Sequence, residues 1–224
     1  GVDLSIGWRD KVGEFGYNIT ANISRYKNEV TRLGSSDLFN DTRLSKVNIT
    51  TVGQPVGMFY GYQIEGIYQN EQDVISSGVL PYGVATENDL VASAWVGRYK
   101  MKDVNNDGKI DADDRTIIGN PHPDLTGGFN ISLTWRDFDL STYMYYSIGN
   151  DLYKHYEYYT MFGNLQSNYS KDRLAKSWDP VNNPNGIYPL WTTTSTEGPE
   201  AGNESNSNYV QDGSYLRMQT LTLG

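Results

Sequence analysis

Twelve consecutive residues carry the most specific chemical pattern in this chain: Asp103-Val104-Asn105-Asn106-Asp107-Gly108-Lys109-Ile110-Asp111-Ala112-Asp113-Asp114. Oxygen donors stand at loop positions one, three and five, glycine at six for a tight reversal, a backbone carbonyl at seven and a carboxylate at twelve. That is the spacing of a calcium loop. The expected ligands are Asp103, Asn105, Asp107, the Lys109 carbonyl, Asp111 through water, and Asp114. Calcium takes six to eight hard oxygens, and these four carboxylates offset its charge more fully than magnesium's stricter octahedron requires. The departure is Asp114, an aspartate where such loops carry glutamate, whose shorter side chain reaches less far. No long helices flank the loop, so a structural Ca2+ rather than a sensor switch is expected. The competing reading is an Asn/Asp/Gly-rich turn without metal.

Other reactive side chains are sparse. There is no cysteine, which removes disulfides, thiolate zinc sites and cysteine nucleophiles, and the only histidines, His122 and His155, are far apart. No Gly-x-Ser-x-Gly elbow or His-Glu-x-x-His motif occurs. The chain is therefore read as a non-enzyme. A tyrosine cluster, Tyr153, Tyr156, Tyr158 and Tyr159 with Phe162, offers rings for stacking on sugar faces, or equally an aromatic girdle or partner contact. Arg98, Lys100 and Lys102 alternate as a solvated strand face does. Gly53-Gln54-Pro55-Val56-Gly57-Met58-Phe59-Tyr60-Gly61-Tyr62 lacks the Lys-Ser/Thr of a phosphate loop, so its glycines point to bulged strands or close backbone approach.

The elements that must hold these residues are strands. Val2, Leu4, Ile6 and Trp8 alternate with polar or small residues, and after a connector over 9–14 the period of two resumes in Phe15, Tyr17, Ile19, Ala21 and Ile23. Phe129, Ile131, Leu133 and Trp135 repeat the arrangement and turn through Arg136 and Asp137 into Phe138, Leu140, Met144 and Tyr146. Both hairpins contain Trp-Arg-Asp, at 8–10 and 135–137, which suggests a shared turn. Hairpins are thus expected over about 1–30 and 128–148 and a last strand over about 213–224. Long loops fill about 31–126 and 149–212, and Ser170 caps a short helix over 170–178.

Short turns on one side and very long loops on the other suit a membrane barrel better than a sandwich, whose loops rarely exceed about 12–15 residues. Aromatic residues at strand ends and Asn, Ser and Thr on the opposite faces agree with a lipid girdle and a hydrated lumen. The expected fold class is all-β: antiparallel strands of a large transmembrane β-barrel, present as an incomplete fragment, with long extracellular loops.

Composition narrows the partners. With 18 Lys and Arg against 27 Asp and Glu the formal charge is −9, which excludes nucleic acid as an expected partner. The longest apolar run is the four residues from Tyr143 to Tyr146, far short of the roughly 20 of a spanning helix. No signal segment opens the chain at Gly1. The 18 Tyr, 5 Trp and 6 Phe remain as an aromatic excess in a polar sequence.

Several of these stretches, taken in order, resemble one family. Gly53 to Tyr62, the Asp-Val-Asn-Asn-Asp-Gly-Lys-Ile-Asp loop, Asp114-Arg115-Thr116-Ile117-Ile118-Gly119-Asn120-Pro121-His122-Pro123-Asp124 leading into Gly128-Phe129-Asn130, Trp178-Asp179-Pro180 and Asp212-Gly213-Ser214-Tyr215-Leu216-Arg217 look like the C-terminal part of SusC/RagA-type TonB-dependent outer-membrane transporters. The resemblance implies a barrel of roughly 22 strands around an N-terminal plug, in the outer membrane of a Gram-negative, Bacteroidetes-like bacterium. It implies a SusD-like surface lipoprotein as lid, contact with TonB through an N-terminal region absent from this chain, and import of oligosaccharides or peptides. Two other readings stay open: a soluble, secreted, calcium-stabilised β-domain that binds glycans, and a surface adhesion or assembly protein.

Overall fold

The computed structural model describes residues 1–34, 36–42, 45–162, 168–191 and 199–224. In chain order the strands are β1 (Val2–Val12), β2 (Phe15–Arg25), β3 (Leu38–Thr42), β4 (Ser45–Thr50), β5 (Met58–Gly61), β6 (Ile64–Ile67), β7 (Tyr99–Met101), β8 (Thr116–Gly119), β9 (Leu125–Trp135), β10 (Phe138–Ile148), β11 (Asp151–Tyr153), β12 (Val210–Asp212) and β13 (Tyr215–Leu223). Two short helices, α1 (Glu71–Ser76) and α2 (Lys171–Lys176), lie among them.

Five long strands form one antiparallel sheet in the order β1-β2-β9-β10-β13, so each strand pairs with its predecessor in the wall. Eleven residues rise about 37 Å at ~3.4 Å each, and at a tilt near 45° they span the ~25 Å apolar band of an outer-membrane barrel. The register aligns one apolar face across the wall: Trp8 lies opposite Ile19, Ile19 opposite Ile131, Phe15 opposite Trp135, and Trp135 opposite Phe138. Asn18, Ser132 and Ser141 line up on the other face. In β13 the alternation changes phase between Met218 and Leu221. A bulge opposite Tyr143 and Met144 absorbs the extra Gln219, so Leu216, Met218, Leu221 and Leu223 all face the apolar side.

That face is solvent-exposed in the isolated chain: Ile6 is 62% and Trp8 66% exposed, and β1 and β13 bury nothing. A soluble sandwich would cover such a face with a second sheet. The exposure identifies a membrane wall, and no helix is long and apolar enough to cross a bilayer among the described residues.

The turns joining β1 to β2 and β9 to β10 are two residues long, each with its first residue at positive φ, Gly13 at 62° and Arg136 at 55°. β1 continues through Val12, so the expected connector over 9–14 shrinks to Gly13 and Glu14. Trp8-Arg9-Asp10 therefore sits inside a strand while Trp135-Arg136-Asp137 makes a turn, and the repeated tripeptide is not a shared turn. Within the wall, Gly127 lies opposite Tyr146, and a Cβ there would meet the tyrosine hydroxyl at 2.4 Å; the missing side chain lets the ring lie across the backbone.

The segments expected to be loops fold into a second layer at the far end of the wall. It contains a four-stranded sheet in the order β3-β4-β5-β8 and two ribbons, β6-β7 and β11-β12. Its core includes Tyr62, Tyr68, Tyr99, Trp178, Tyr188 and Tyr209, each at most 3% exposed. The short helix appears as expected, with Ser170 accepting a hydrogen bond from the Asp172 amide.

Candidate functional site

The acidic loop runs from the end of β7 to the start of β8. Asn106 and Gly108 turn it at φ of 61° and 86°, and a parallel bridge anchors it: the Leu80 amide donates to the Gly108 carbonyl, and the Ile110 amide to the Leu80 carbonyl, at 2.9 and 2.8 Å. Ile110 is buried against Tyr62 and Met101, which pins the middle of the loop to the core. Asp103 accepts the amides of Asn106 and Gly108 at 2.6 and 2.8 Å, Asn105 that of Asp107, and Asp107 that of Lys109.

Asp114, wholly buried, accepts the Val104 amide on one oxygen and the Asp111 amide on the other, at 2.9 and 2.7 Å. Its short side chain thus closes the loop from within. The Lys109 ammonium stands 2.6 Å from Asp111 and 3.7 Å from Asp107. That ammonium, with the Asp113 amide, holds the Asp111 carboxyl below the usual range, and Asp111 raises the lysine in return. The six expected ligand residues share one loop, but no group of three or more acidic, His or Cys side chains is arranged around an ion position among the described residues. Each carboxylate offers about four lone-pair sites, so the amide bonds leave acceptor capacity.

The tyrosine cluster divides. Tyr153 stacks on Tyr209 with ring centroids 5.5 Å apart and donates to the Ser205 hydroxyl at 2.9 Å; Tyr158 packs against the same Val47–Tyr209 core. Burial raises the Tyr153 and Tyr209 phenols well above their ordinary value. Tyr156, at 62% exposed, and Tyr159, stacked on His155 at 5.7 Å, are the two rings at the surface. Two of the four candidates therefore serve the core and two are presented to solvent.

Three connectors join the loop layer to the wall. The Asn120 amide donates to the Asp151 carboxylate and the Asp151 amide to the Asn120 carbonyl, both at 2.7 Å. The Gly149 amide reaches the Ser214 hydroxyl at 2.9 Å, and the Gly213 amide the Asn150 carbonyl at 2.8 Å. His122 meets the Val56 carbonyl at 2.7 Å, tying in the glycine-rich stretch. In that stretch Gly61 meets the expectation of close approach, since a Cβ would lie 2.3 Å from the Ser205 carbonyl oxygen. Arg98 and Lys100 are half-buried and partnered, Arg98 by the Ala94 carbonyl and Lys100 by Asp73 at 3.5 Å; only Lys102 is exposed as a solvated face requires.

No protein-family model matches the chain. It is 31% identical to TonB-dependent receptor P3 of Formosa agariphila over its whole length, and 25% identical to TonB-dependent receptor SusC of Bacteroides thetaiotaomicron, again over all of it. The chain is similar over its whole length to proteins named as TonB-dependent receptors, SusC among them. It spans about a fifth of the length of these relatives, 21% and 20%. The structure of the RagAB peptide transporter superposes on 99% of the chain with a TM-score of 0.67 at 21% identity, which establishes the large antiparallel barrel fold. The wall, the two-residue turns and the loop layer thus form a sector of a large antiparallel barrel.

What sequence reading missed is the loop layer's order and its buried arginine, Arg173, on α2. Strands of three to six residues with bulges, as between Phe59 and Tyr60, show no sustained period. The available signal was the tyrosines themselves, too numerous for surface loops.

Proposed function

We propose that the protein carrying this chain is the channel component of a SusC/SusD-like complex in the outer membrane, importing oligosaccharides or peptides by translocation rather than catalysis. The observation that carries the reading is the wall: an apolar face for outer-membrane lipid, a polar face for a hydrated lumen, two-residue turns at one end and an ordered loop layer at the other. The similarity to TonB-dependent receptors supports coupling to TonB through a region N-terminal to these residues. A SusD-like lipoprotein, seated on the loop layer, acts as the lid. Deleting the whole gene in the source bacterium tests this. Growth on a set of oligosaccharides or of peptides as sole nutrient should fail and return on complementation; unchanged growth and uptake on both sets would defeat the proposal.

We propose further that calcium occupies the loop from Asp103 to Asp114 and stabilises the layer structurally. Donor spacing and the buried, inward-held Asp114 support this, and binding requires the Lys109 ammonium to leave Asp107 and Asp111. Terbium luminescence sensitised by Tyr99 should appear in the intact protein and vanish in Asp107→Ala. Absence of terbium or calcium binding at millimolar concentration would retire the site.

A further inference from the structure

Among the five wall strands, aromatic side chains reach the lumen face in one patch. β10 turns Tyr143 and Tyr145 to that face, and β13 turns Tyr215 and Arg217. All four lie in the half of the wall nearer the loop layer. Tyr143 continues a transverse row of the pairing register with Thr20, Asn130 and Thr220, and Tyr145 continues the next row with Asn22, Gly128 and Arg217. Neither row holds a carboxylate, and Tyr215 follows two residues from Arg217.

A ring facing a hydrated lumen is covered neither by lipid nor by a core, and Tyr143 is 37% and Tyr215 43% exposed. The wall is shaped to display them. A Cβ on Gly128 would press on the Met144 carbonyl oxygen at 2.7 Å and on the Tyr143 ring and hydroxyl at 3.2 Å, so the bare position lets that ring rest on the strand. Tyr145 and Tyr215 meet across the strand pair, their centroids 6.0 Å apart and their planes tilted by 46°. The exposed Arg217 guanidinium lies over Tyr215, 5.7 Å from its centroid, a cation–π contact that leaves its N–H donors for a ligand. The β13 bulge falls opposite Tyr143, and bulges recur beside binding sites, where they re-aim side chains.

We propose that Tyr143, Tyr145, Tyr215 and Arg217 form a platform on the lumen wall against which the pyranose rings of an imported oligosaccharide stack. A pyranose ring has an apolar C–H face, which suits the negative face of a tyrosine ring. Its rim of hydroxyls suits the Arg217 donors and the side chains of Thr20, Asn22, Asn130 and Thr220. Peptides dock chiefly by adding a strand to an open sheet edge or by laying an apolar helix face in a groove. β10 is paired on both sides, and the side chains around the rings are polar. The inference rests on the import reading for the ligand's passage through the lumen and adds its class, a sugar rather than a peptide.

The test titrates the complete protein in detergent, by calorimetry, with maltohexaose, xylohexaose, mannohexaose and chitohexaose, and with tetraalanine for comparison. At least one hexasaccharide should bind, and Tyr143→Ala and Tyr215→Ala should each weaken it about tenfold, the loss of one stacked ring. Tyr215→Phe, which keeps the ring, should bind within about twofold of the parent protein. Arg217→Gln should bind about threefold more weakly, and it decides the matter if an alanine variant does not insert, because it leaves all three rings in place. No binding of any hexasaccharide, sugar binding unmoved by these variants, or ring-dependent binding of tetraalanine alone would overturn the proposal. So would unchanged sugar affinity in variants whose hydrogen exchange rises in a segment N-terminal to these strands, since the rings would then pack against the protein's own lumen filling. Platform binding intact in a protein whose gene deletion leaves growth and uptake unchanged would count against the import reading alone.

Discussion

The wall and the loop layer solve opposite burial problems with much the same residues. Every buried large hydrophobic side chain among the described residues lies in the loop layer, from Val47 to Tyr209, whereas the buried positions of the wall strands are Gly16, Gly127, Gly128 and Ser147. The wall has no core of its own because lipid is its core. Its strands need only paired backbones, an aligned apolar face and closure by further strands. The layer at its far end meets water and must bury its own apolar surface, which it does with tyrosine. A tyrosine ring gives area for packing while its hydroxyl satisfies the polar backbone of irregular structure, as Tyr209 does by donating to the Gly202 carbonyl at 2.7 Å.

Truncating the layer's core separates the two regions most sharply. Tyr209, 1% exposed, stacks on Tyr153 and meets Phe162 edge-on. Tyr209→Ala removes a large buried ring and leaves a cavity, a change worth about 3–5 kcal/mol. In the complete protein the loop layer should lose hydrogen-exchange protection over β5, β8 and β12 while β9 and β10 stay protected in the bilayer. Equal loss in both regions would mean that they unfold as one unit.

The reciprocal experiment works on adjacent residues of β2. Ile19 faces lipid beside Trp8 and Ile131, and Thr20 faces the lumen. An arginine on the lipid face near mid-membrane costs about 2–4 kcal/mol. Ile19→Arg should impair barrel insertion by that amount, measured by refolding into vesicles, and Thr20→Arg should leave insertion nearly unchanged. Similar effects from both would show that the face assignment is wrong.

The same contrast explains what was legible beforehand. Wall strands must alternate strictly because their two solvents differ, so Phe15 to Ile23 and Phe129 to Trp135 announced themselves, and even the phase break at Gln219 has a bulge as its cause. The layer obeys no such rule. Its strands are three to six residues long, and Tyr62, Tyr99 and Tyr209 each sit in a separate core cluster assembled from distant positions. The acidic loop was visible from its spacing. Arg173 was not, because a cation followed by a leucine on a short helix reads as the helix's solvent side until the packing inverts it.

The smallest expected effect concerns the acidic turns of the layer. Lys109 and a backbone amide lower the Asp111 carboxyl; backbone amides of Asn182 and Val181 lower Asp179; the Ser214 hydroxyl and amide lower Asp212. A carboxyl lowered in the folded state contributes stability that is present above its unfolded pKa, near 3.9, and is lost as pH falls through the folded value. The Lys109 ammonium, raised by Asp111, contributes below its unfolded pKa and is lost only as pH rises through the higher folded value. Both signs favour the layer at neutral pH. In the calcium-free protein, acidification below about pH 4 should therefore loosen the turns around Asp111, Asp179 and Asp212 before the wall responds. These groups lie at the surface, where solvent screens them, so the change should be a modest rise in amide exchange at these turns rather than unfolding. Asp111→Asn should remove the acid response at the first turn and leave the other two. If the wall strands loosened first on acidification, the wall and not the layer would be the electrostatically maintained region.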